Sequence, residues 1–168
     1  MAADQLLKAQ LSFADQREVF DYWSSLATNG LPSRSAINPG AIKRRLAQIS
    51  ILVVDPAAKG GLRVRLAGTG LRDAFGRDVT GQALSAIEPG ERYDYWLTAL
   101  KRIIATGEPA LGTISLSSLG KPHLEQHWLR LPLSSDGRNV DGFLGHDRFV
   151  PTEIAAKSAY LASAIAAG

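Results

Sequence analysis

The sequence contains no cysteine. The chain therefore cannot form disulfides, use a thiol as a nucleophile or bind a metal through thiolates. It also has no apolar run near the ~18 residues that a membrane-spanning helix needs, and its first residues do not join a basic stretch to an apolar one as a secretory signal does. We therefore expect a cytoplasmic protein with no membrane partner.

A strong charge of one sign is absent as well. The 19 basic and 16 acidic residues leave a formal net charge of +3. Nucleic-acid binding requires basic side chains gathered on one face, and we interpret the one dense basic run, Lys43-Arg44-Arg45, as the solvated face of a helix. We therefore expect no nucleic-acid partner. A length of 168 residues, 45% of them hydrophobic, predicts one domain with appendages and a core of its own.

Catalytic motifs are missing too. The sequence has no Gly-x-Ser-x-Gly elbow, no His-Glu-x-x-His pair and no phosphate-binding loop. Gly68-x-Gly70 follows a strand as a dinucleotide-binding loop would, but Asp73 occupies the position of the third glycine. We interpret the two glycines as the means of making a tight turn out of a sheet, and we expect no enzymatic activity.

Hydrophobic periodicity predicts five strands, over residues 48–55, 62–68, 111–117, 124–133 and 140–149. The first is almost wholly apolar, which is typical of a central strand that is covered on both faces. Helical spacing predicts helices over residues 13–29, 40–47, 82–87, 91–106 and 152–166. The predicted fold class is therefore α+β, with one antiparallel sheet that carries helices on one face.

The most informative stretch runs over residues 62–81. Its apolar residues alternate with arginines as in a half-buried strand, which then breaks at Gly68-Thr69-Gly70 into a short helical turn that ends at Gly76. This stretch resembles the second strand and following short helices of a PAS domain, through residues 65–70 (RLAGTG), 75–78 (FGRD) and 80–81 (TG). Residues 31–34 (LPSR), Pro39 and residues 131–134 (LPLS) add to the resemblance.

The resemblance extends from about residue 31 to residue 149 and is strongest to small bacterial proteins that consist of one PAS domain. It divides the chain into an N-terminal amphipathic helix over residues 1–30, a PAS-like domain over 31–150 and a C-terminal helix over 151–168. It implies two strands, a helical crossover and a three-strand meander in one five-stranded antiparallel sheet. It also implies a sensory or signalling module, without naming a ligand.

The resemblance bears on cofactors as well. PAS domains with a covalent flavin photocycle need a cysteine, and those that bind haem commonly use a histidine on the long central helix, where residues 91–106 have none. We therefore expect no covalent flavin adduct and no helix-ligated haem, which leaves a non-covalent small ligand or a packed interior. The implied pocket lies between the long helix and the sheet, lined by Leu66, Phe75, Tyr93, Trp96, Leu97, Leu100, His127, Leu129 and Leu131.

Three polar residues, His123, Glu125 and His127, alternate along one predicted strand and so share one face. Two histidines and a carboxylate at this spacing can bind a metal. We interpret them instead as hydrogen-bonded polar residues at the end of a strand, and we expect no metal site.

Two further polar features stand out. His146 and Asp147 are adjacent on the last predicted strand, so they point to opposite faces and cannot act on one substrate atom. Arg34 lies in a loop rich in serine and proline before the sheet, where it is either a structural ion pair or an anchor for the acid group of a ligand.

Three functional hypotheses remain. The first is a stand-alone PAS sensory module that binds a small molecule, a partner protein or both, and relays the change through its terminal helices. The second is a protein-interaction scaffold without a ligand. The third is a small enzyme of the ketosteroid-isomerase type, which would need an ionisable pair deep in the cavity, and only Glu125 and His127 come near that requirement.

A sheet with helices on one face leaves its other face bare, and an open apolar face marks an interface. Phe13, Phe20, Trp23 and Leu26 form an apolar stripe on the N-terminal helix that can supply the cover. Either this helix folds back over its own sheet, or two chains exchange it. Because PAS domains often dimerise through flanking helices, the resemblance favours a homodimer built on this stripe, with help from residues 154–165.

Overall fold

A computed structural model describes residues 2–167. The α-helices are α1 (Ala2–Gln10), α2 (Ala14–Leu26), α3 (Thr69–Phe75), α4 (Leu84–Ile87), α5 (Glu91–Thr106) and α6 (Thr152–Ala166). The strands are β1 (Ile49–Val54), β2 (Leu62–Ala67), β3 (Ala110–Leu116), β4 (Lys121–Leu133) and β5 (Gly142–Pro151). Segments of 3₁₀-helix cover Arg34–Ala36, Pro39–Gln48 and Ser117–Leu119.

The five strands form one sheet in the order β2-β1-β5-β4-β3, and every adjacent pair is antiparallel. The predicted α+β class and the five-stranded antiparallel sheet are confirmed. β1 lies inside the sheet, as its apolar sequence predicted, but β5 occupies the middle position.

The sheet buries an apolar cluster on each face. On one face, α3, α4 and α5 cover a cluster that includes Leu52, Val64, Trp96, Leu100 and Phe143. On the other face, α2 covers a cluster that includes Val19, Trp23, Ile51, Leu131 and Leu144. Because its successive side chains point to opposite faces, β1 supplies Leu52 to the first cluster and Ile51 to the second.

Helix α2 is attached to the sheet of its own chain. The indole Nε1 of Trp23 donates a hydrogen bond to the carbonyl oxygen of Pro132 on β4 at 2.9 Å. The side-chain amide of Gln16 donates to the carbonyl oxygen of His127 on the same strand at 3.1 Å. Because both acceptors are backbone carbonyl oxygens, these bonds attach α2 to the main chain of β4. The leucine side chains of β4 add apolar contacts.

The predicted dimer stripe therefore lies against the sheet within one chain. Phe20 and Trp23 are buried there, while Phe13 and Leu26 are half-buried. This is the first of the two arrangements that the sequence allowed, in which the helix folds back over its own sheet. A homodimer built on this stripe stays a prediction, and it would require two chains to exchange α2.

Helix α6 follows β5 directly and buries none of its described side chains. Ile154, Leu161 and Ile165 are 55%, 53% and 81% exposed, so the apolar stripe predicted for this helix points to solvent. Among the helices of residues 2–167, none is both long and apolar enough to cross a bilayer.

Replacing Trp23 by Ala should lower the free energy of unfolding by about 3–5 kcal/mol, because the change removes a buried ring and its hydrogen bond. Urea denaturation of the variant and of the unmodified protein measures this loss. The matched control is Tyr160→Ala, since Tyr160 is an aromatic residue that is 73% exposed on α6. A loss for Trp23→Ala as small as that of the control would contradict the placement of α2. A midpoint that rises with protein concentration would instead indicate exchange of α2 between chains.

Candidate functional site

A small cavity of about 30 Å³ lies between the sheet and helices α3, α4 and α5. This volume has room for about two water molecules. The wall is mostly apolar, with a few polar side chains from β1, β4 and α5, and consists of Ser50, Leu52, Val64, Leu71, Phe75, Val79, Leu84, Ile87, Glu88, Trp96, Gln126 and Arg130.

A buried chain of charged and amide groups crosses one side of this cavity. Arg92 on α5 bonds to the Glu88 carboxylate, with 2.6 Å between Nε and Oε2, and donates to the side-chain oxygen of Gln126 at 2.8 Å. The Gln126 amide donates to Oδ1 of Asp147 on β5 at 2.8 Å, and Nη2 of Arg130 donates to the same oxygen at 2.9 Å. All five residues are buried. Two guanidinium groups face two carboxylates, so the formal charges within the chain balance.

Three polar atoms in the cavity wall have no hydrogen-bond partner within residues 2–167. They are Oγ of Ser50, Nε1 of Trp96 and Nε of Arg130, and each residue is at most 4% exposed. An unsatisfied buried donor costs about 1–3 kcal/mol, so three of them around one cavity require an explanation. The Arg130 guanidinium also stacks on the Trp96 ring, 4.6 Å from its centroid.

Gly145 leaves space for the side chains of Ser50 and Arg130 in the cavity wall. Gly145 on β5 lies between Ser50 on β1 and Arg130 on β4 in the sheet. A Cβ atom at Gly145 would overlap Oγ of Ser50 and would lie 3.0 Å from Nη1 of Arg130. A larger residue here would therefore push both polar groups out of the cavity wall.

The structure brings together only part of the predicted pocket. Phe75 and Trp96 line the cavity, and Leu100 is buried in the same cluster. Tyr93 and Leu97 pack against that cluster without lining the cavity.

The remaining four predicted residues lie elsewhere, which corrects the prediction. Leu129 and Leu131 belong to the cluster under α2, on the far face of the sheet. The His127 ring is on that face too, 5.1 Å from the ring of Phe13 on the same side. Leu66 is 46% exposed and borders an open groove.

The error comes from the pleat of β4. Both faces of this strand are covered, so the sequence allows either alternating set of side chains to face α5. An assignment that is shifted by one residue places every side chain of the strand on the wrong face. The set that faces α5 contains Gln126 and Arg130, whose polarity suggested solvent. The spacing of Glu88 and Arg92 was no signal either, because Glu88 ends α4 and Arg92 lies in the first turn of α5, with Pro89 and Gly90 between them.

A second polar group joins the sheet to α2. Nη1 of Arg148 donates to Oδ2 of Asp15 on α2 at 3.0 Å, and Nε2 of His146 lies 3.8 Å from the same oxygen. His146 and Asp147 face opposite sides of the sheet, as predicted. Burial lowers the pKa of His146, and the nearby Asp15 and Asp147 carboxylates offset part of this effect.

Of the three polar residues that alternate on β4, only Glu125 and His127 form a close pair. Nε2 of His127 lies 3.3 Å from Oε2 of Glu125, and His123 is exposed. Burial lowers the pKa of His127, and the Glu125 charge acts in the opposite direction. Within residues 2–167, no three histidine or acidic side chains gather as a metal site would require. Arg34 is exposed and has no ion pair within the same residues, so the first of the two roles that the sequence allowed for it, a structural ion pair, is not found.

Comparison with known proteins places this architecture in a family. A family model described as a PAS domain matches residues 12–146, which is most of the chain. The chain belongs to the PAS domain family. The matched residues include α2, the residues that line the cavity and the sheet of this PAS domain as far as His146 on β5. A search of curated proteins finds no match.

Three solved structures illustrate what this fold is similar to. One is a domain of an HTR-like protein from Haloarcula marismortui, at 20% identity over 61% of this chain and 95% of that one, with a TM-score of 0.46. A light-oxygen-voltage domain described with a flavin analogue is 16% identical over 80% and 99% of the two chains, with a TM-score of 0.49. An RNA-binding light-oxygen-voltage receptor is 20% identical over 81% and 40%, also with a TM-score of 0.49. At these identities the likeness concerns the fold alone.

The buried charge chain of the PAS domain can be tested by removing one member. Asp147→Ala leaves Arg130 buried without its carboxylate, and the free energy of unfolding should fall by about 3–5 kcal/mol. The double variant Arg130→Met/Asp147→Leu removes both charges and should recover most of that loss. Arg45→Ala is the control, because it breaks an exposed pair with Glu18 that is worth at most about 1 kcal/mol. Equal losses in Asp147→Ala and the double variant would contradict the ion pairing.

The buried histidine predicts a pH dependence. Because the pKa of His146 is lower in the folded than in the unfolded chain, the unfolded state binds more protons once the pH falls below about 6.5. Stability should therefore decline between pH 7.5 and pH 5.5, a window in which ordinary carboxyl groups stay ionised. Urea denaturation at both pH values should show a smaller decline for His146→Gln, while the exposed control His123→Gln keeps the full decline. An unchanged decline in His146→Gln would show that other groups cause it.

Proposed function

We propose that this PAS domain is a sensory module that binds a small, uncharged, hydrogen-bonding molecule in its internal cavity. The observation that carries the proposal is the set of three unpartnered polar atoms, on Ser50, Trp96 and Arg130, in a mostly apolar wall. Trp96 Nε1 and Arg130 Nε are donors, so the ligand needs an acceptor such as a carbonyl oxygen.

The charges around the cavity argue for an uncharged ligand. Arg130 is already paired with Asp147, and Arg92 with Glu88, so an anion would bring a buried charge without a free partner. A neutral acceptor would satisfy the two donors at no such cost.

Flavin, which the description of one similar domain mentions, does not fit this interior. Pockets for ligands of that size measure about 300–1,000 Å³, while the cavity here measures about 30 Å³. Phe75, Trp96 and Arg130 occupy the space between the long helix and the sheet. The chain also has no cysteine for a covalent adduct.

The fold supports a route from the cavity to the terminal helices. Asp147 bonds to two residues of β4 on the cavity side, and its neighbour His146 faces Asp15 of α2 on the other side. The same strand continues directly into α6. A ligand that shifts β4 and β5 would thereby act on both terminal helices, provided that it binds two arrangements of these strands with different affinity.

The second candidate function is an interaction scaffold whose interior is filled by its own side chains. The small volume of the cavity favours it. Under this hypothesis, the unpartnered atoms are satisfied by one or two buried waters, and no solute competes for them.

Binding of formamide and of formate tests the ligand proposal against the scaffold. The two molecules are similar in shape and differ in charge, so the comparison also shows whether the cavity prefers an uncharged ligand. A ligand of three heavy atoms gains at most about 4.5 kcal/mol, so binding is measured at millimolar concentrations. In ¹H–¹⁵N spectra, formamide should shift the indole resonance of Trp96 in a saturable manner. The indoles of Trp23 and Trp128 already donate to Pro132 and Tyr95, so they should stay in place.

Formate should shift the Trp96 resonance less than formamide does. Ser50→Val narrows the cavity and should weaken the formamide effect, whereas Ser35→Val, at an exposed position in the first 3₁₀ segment, should not. Absence of any saturable shift at Trp96 would overturn the ligand proposal in favour of the scaffold. A stronger response to formate would overturn the claim that the ligand is uncharged.

A further inference from the structure

A groove lies on the face of the sheet opposite the cavity. It runs between β1, β2 and the 3₁₀ segment Pro39–Gln48 as two adjoining hollows of about 410 and 390 Å³. Both hollows contain Ile37, Pro39, Ile51 and Leu66, so they form one continuous apolar floor. Leu66 is 46% exposed and Leu46, at the far end, is 38% exposed.

An irregularity in the pairing of β1 and β2 places a charge beside this floor. Ile51 pairs with Leu66 and Leu52 pairs with Val64, so Arg65 is an extra residue in β2. Such a bulge turns the side chain of the extra residue away from regular alternation. Arg65 and Leu66 consequently border the groove together, although adjacent residues of a regular strand would point to opposite faces.

A second arginine reaches the same place from another segment. Arg34, in the 3₁₀ turn before the sheet, lines the hollow that Arg65 lines. Both guanidinium groups are exposed, and neither has a hydrogen bond or an ion pair within residues 2–167. Among the described residues, no acidic side chain contributes to the wall of either hollow. Two free cations therefore stand at one end of an apolar floor that lacks an internal counter-charge.

We propose that this groove binds a segment of a partner protein in which one or two carboxylates adjoin a short run of apolar side chains. The carboxylates would pair with Arg34 and Arg65, whose planar guanidinium groups suit bidentate contacts. The apolar side chains would cover Leu66, Ile51 and Leu46. The open, elongated form of the groove suits an extended chain, whereas small molecules favour enclosed pockets.

This surface is separate from the internal cavity. Ser50 faces the cavity, and the next residue, Ile51, faces the groove. The inference therefore does not rest on the ligand proposed above. It gives the module a docking surface on the side of the sheet that also carries α2.

The test is selection from a display library of random twelve-residue peptides on the unmodified protein. The selected peptides should join Asp or Glu to Leu, Ile or Phe. Their affinity should fall roughly two- to fivefold for Arg34→Ala and for Arg65→Ala, in the range for exposed ion pairs, and further for the double variant. Leu66→Asp should abolish binding. Arg138→Ala, at an exposed turn outside the groove, is the matched control and should leave the affinity unchanged.

Three outcomes would overturn the proposal. The first is that no peptide is enriched, and the second is that the enriched peptides bind the arginine double variant as well as they bind the unmodified protein. The third is that light scattering shows a dimer that the arginine double variant dissociates, because the groove would then hold a second copy of this chain. A fall in peptide affinity as the salt concentration rises supports the proposal, since the two pairs are exposed to solvent.

Discussion

The structure depends on a buried ionic contact between β4 and β5. Arg130 pairs with Asp147 across the two strands, Gln126 shares the same carboxylate oxygen, and Arg92 connects this group to α5. A group of this kind is tolerated when each charged side chain has an oppositely charged partner, because an isolated charge would cost several kcal/mol in the interior. It therefore determines the height of α5 above the sheet, the stacking of Arg130 on Trp96 and the space that remains as the cavity.

The two faces of the sheet are not independent. β5 carries Asp147 toward the cavity and His146 toward α2, so a single strand contributes one ionisable group to each layer. β4 likewise faces α5 with Arg130 and accepts the α2 hydrogen bonds at His127 and Pro132. A movement of these central strands would therefore change the contacts on both faces of the sheet.

Sequence patterns predicted the fold well and the site poorly. Helix α5 was predicted with its observed bounds because its apolar stripe is regular and Gly107 ends it in the left-handed region, with a φ of 69°. The sequence could not indicate which alternating set of β4 side chains faces α5, because both faces of the strand are buried. Arg130 and Asp147 look like surface residues to any rule based on polarity, and only their mutual contact explains their burial.

The glycines at 68 and 70 were expected to permit a tight turn out of the sheet, but Gly68 has an ordinary φ of −68°. Its lack of a side chain instead lets the end of β2 pass close to the carbonyl groups of Leu46 and Ala47.

The position of α2 has a consequence for where this domain begins. A PAS core defined by its sheet and long helix would start near residue 31, after α2 has ended. Such a shortened chain would leave Leu129, Leu131 and Leu144, which lie on neighbouring strands, without cover. A contiguous apolar surface of this kind promotes aggregation. The smallest soluble folding unit of this protein therefore includes the N-terminal helix, which is an integral layer of the domain and not an appendage to it.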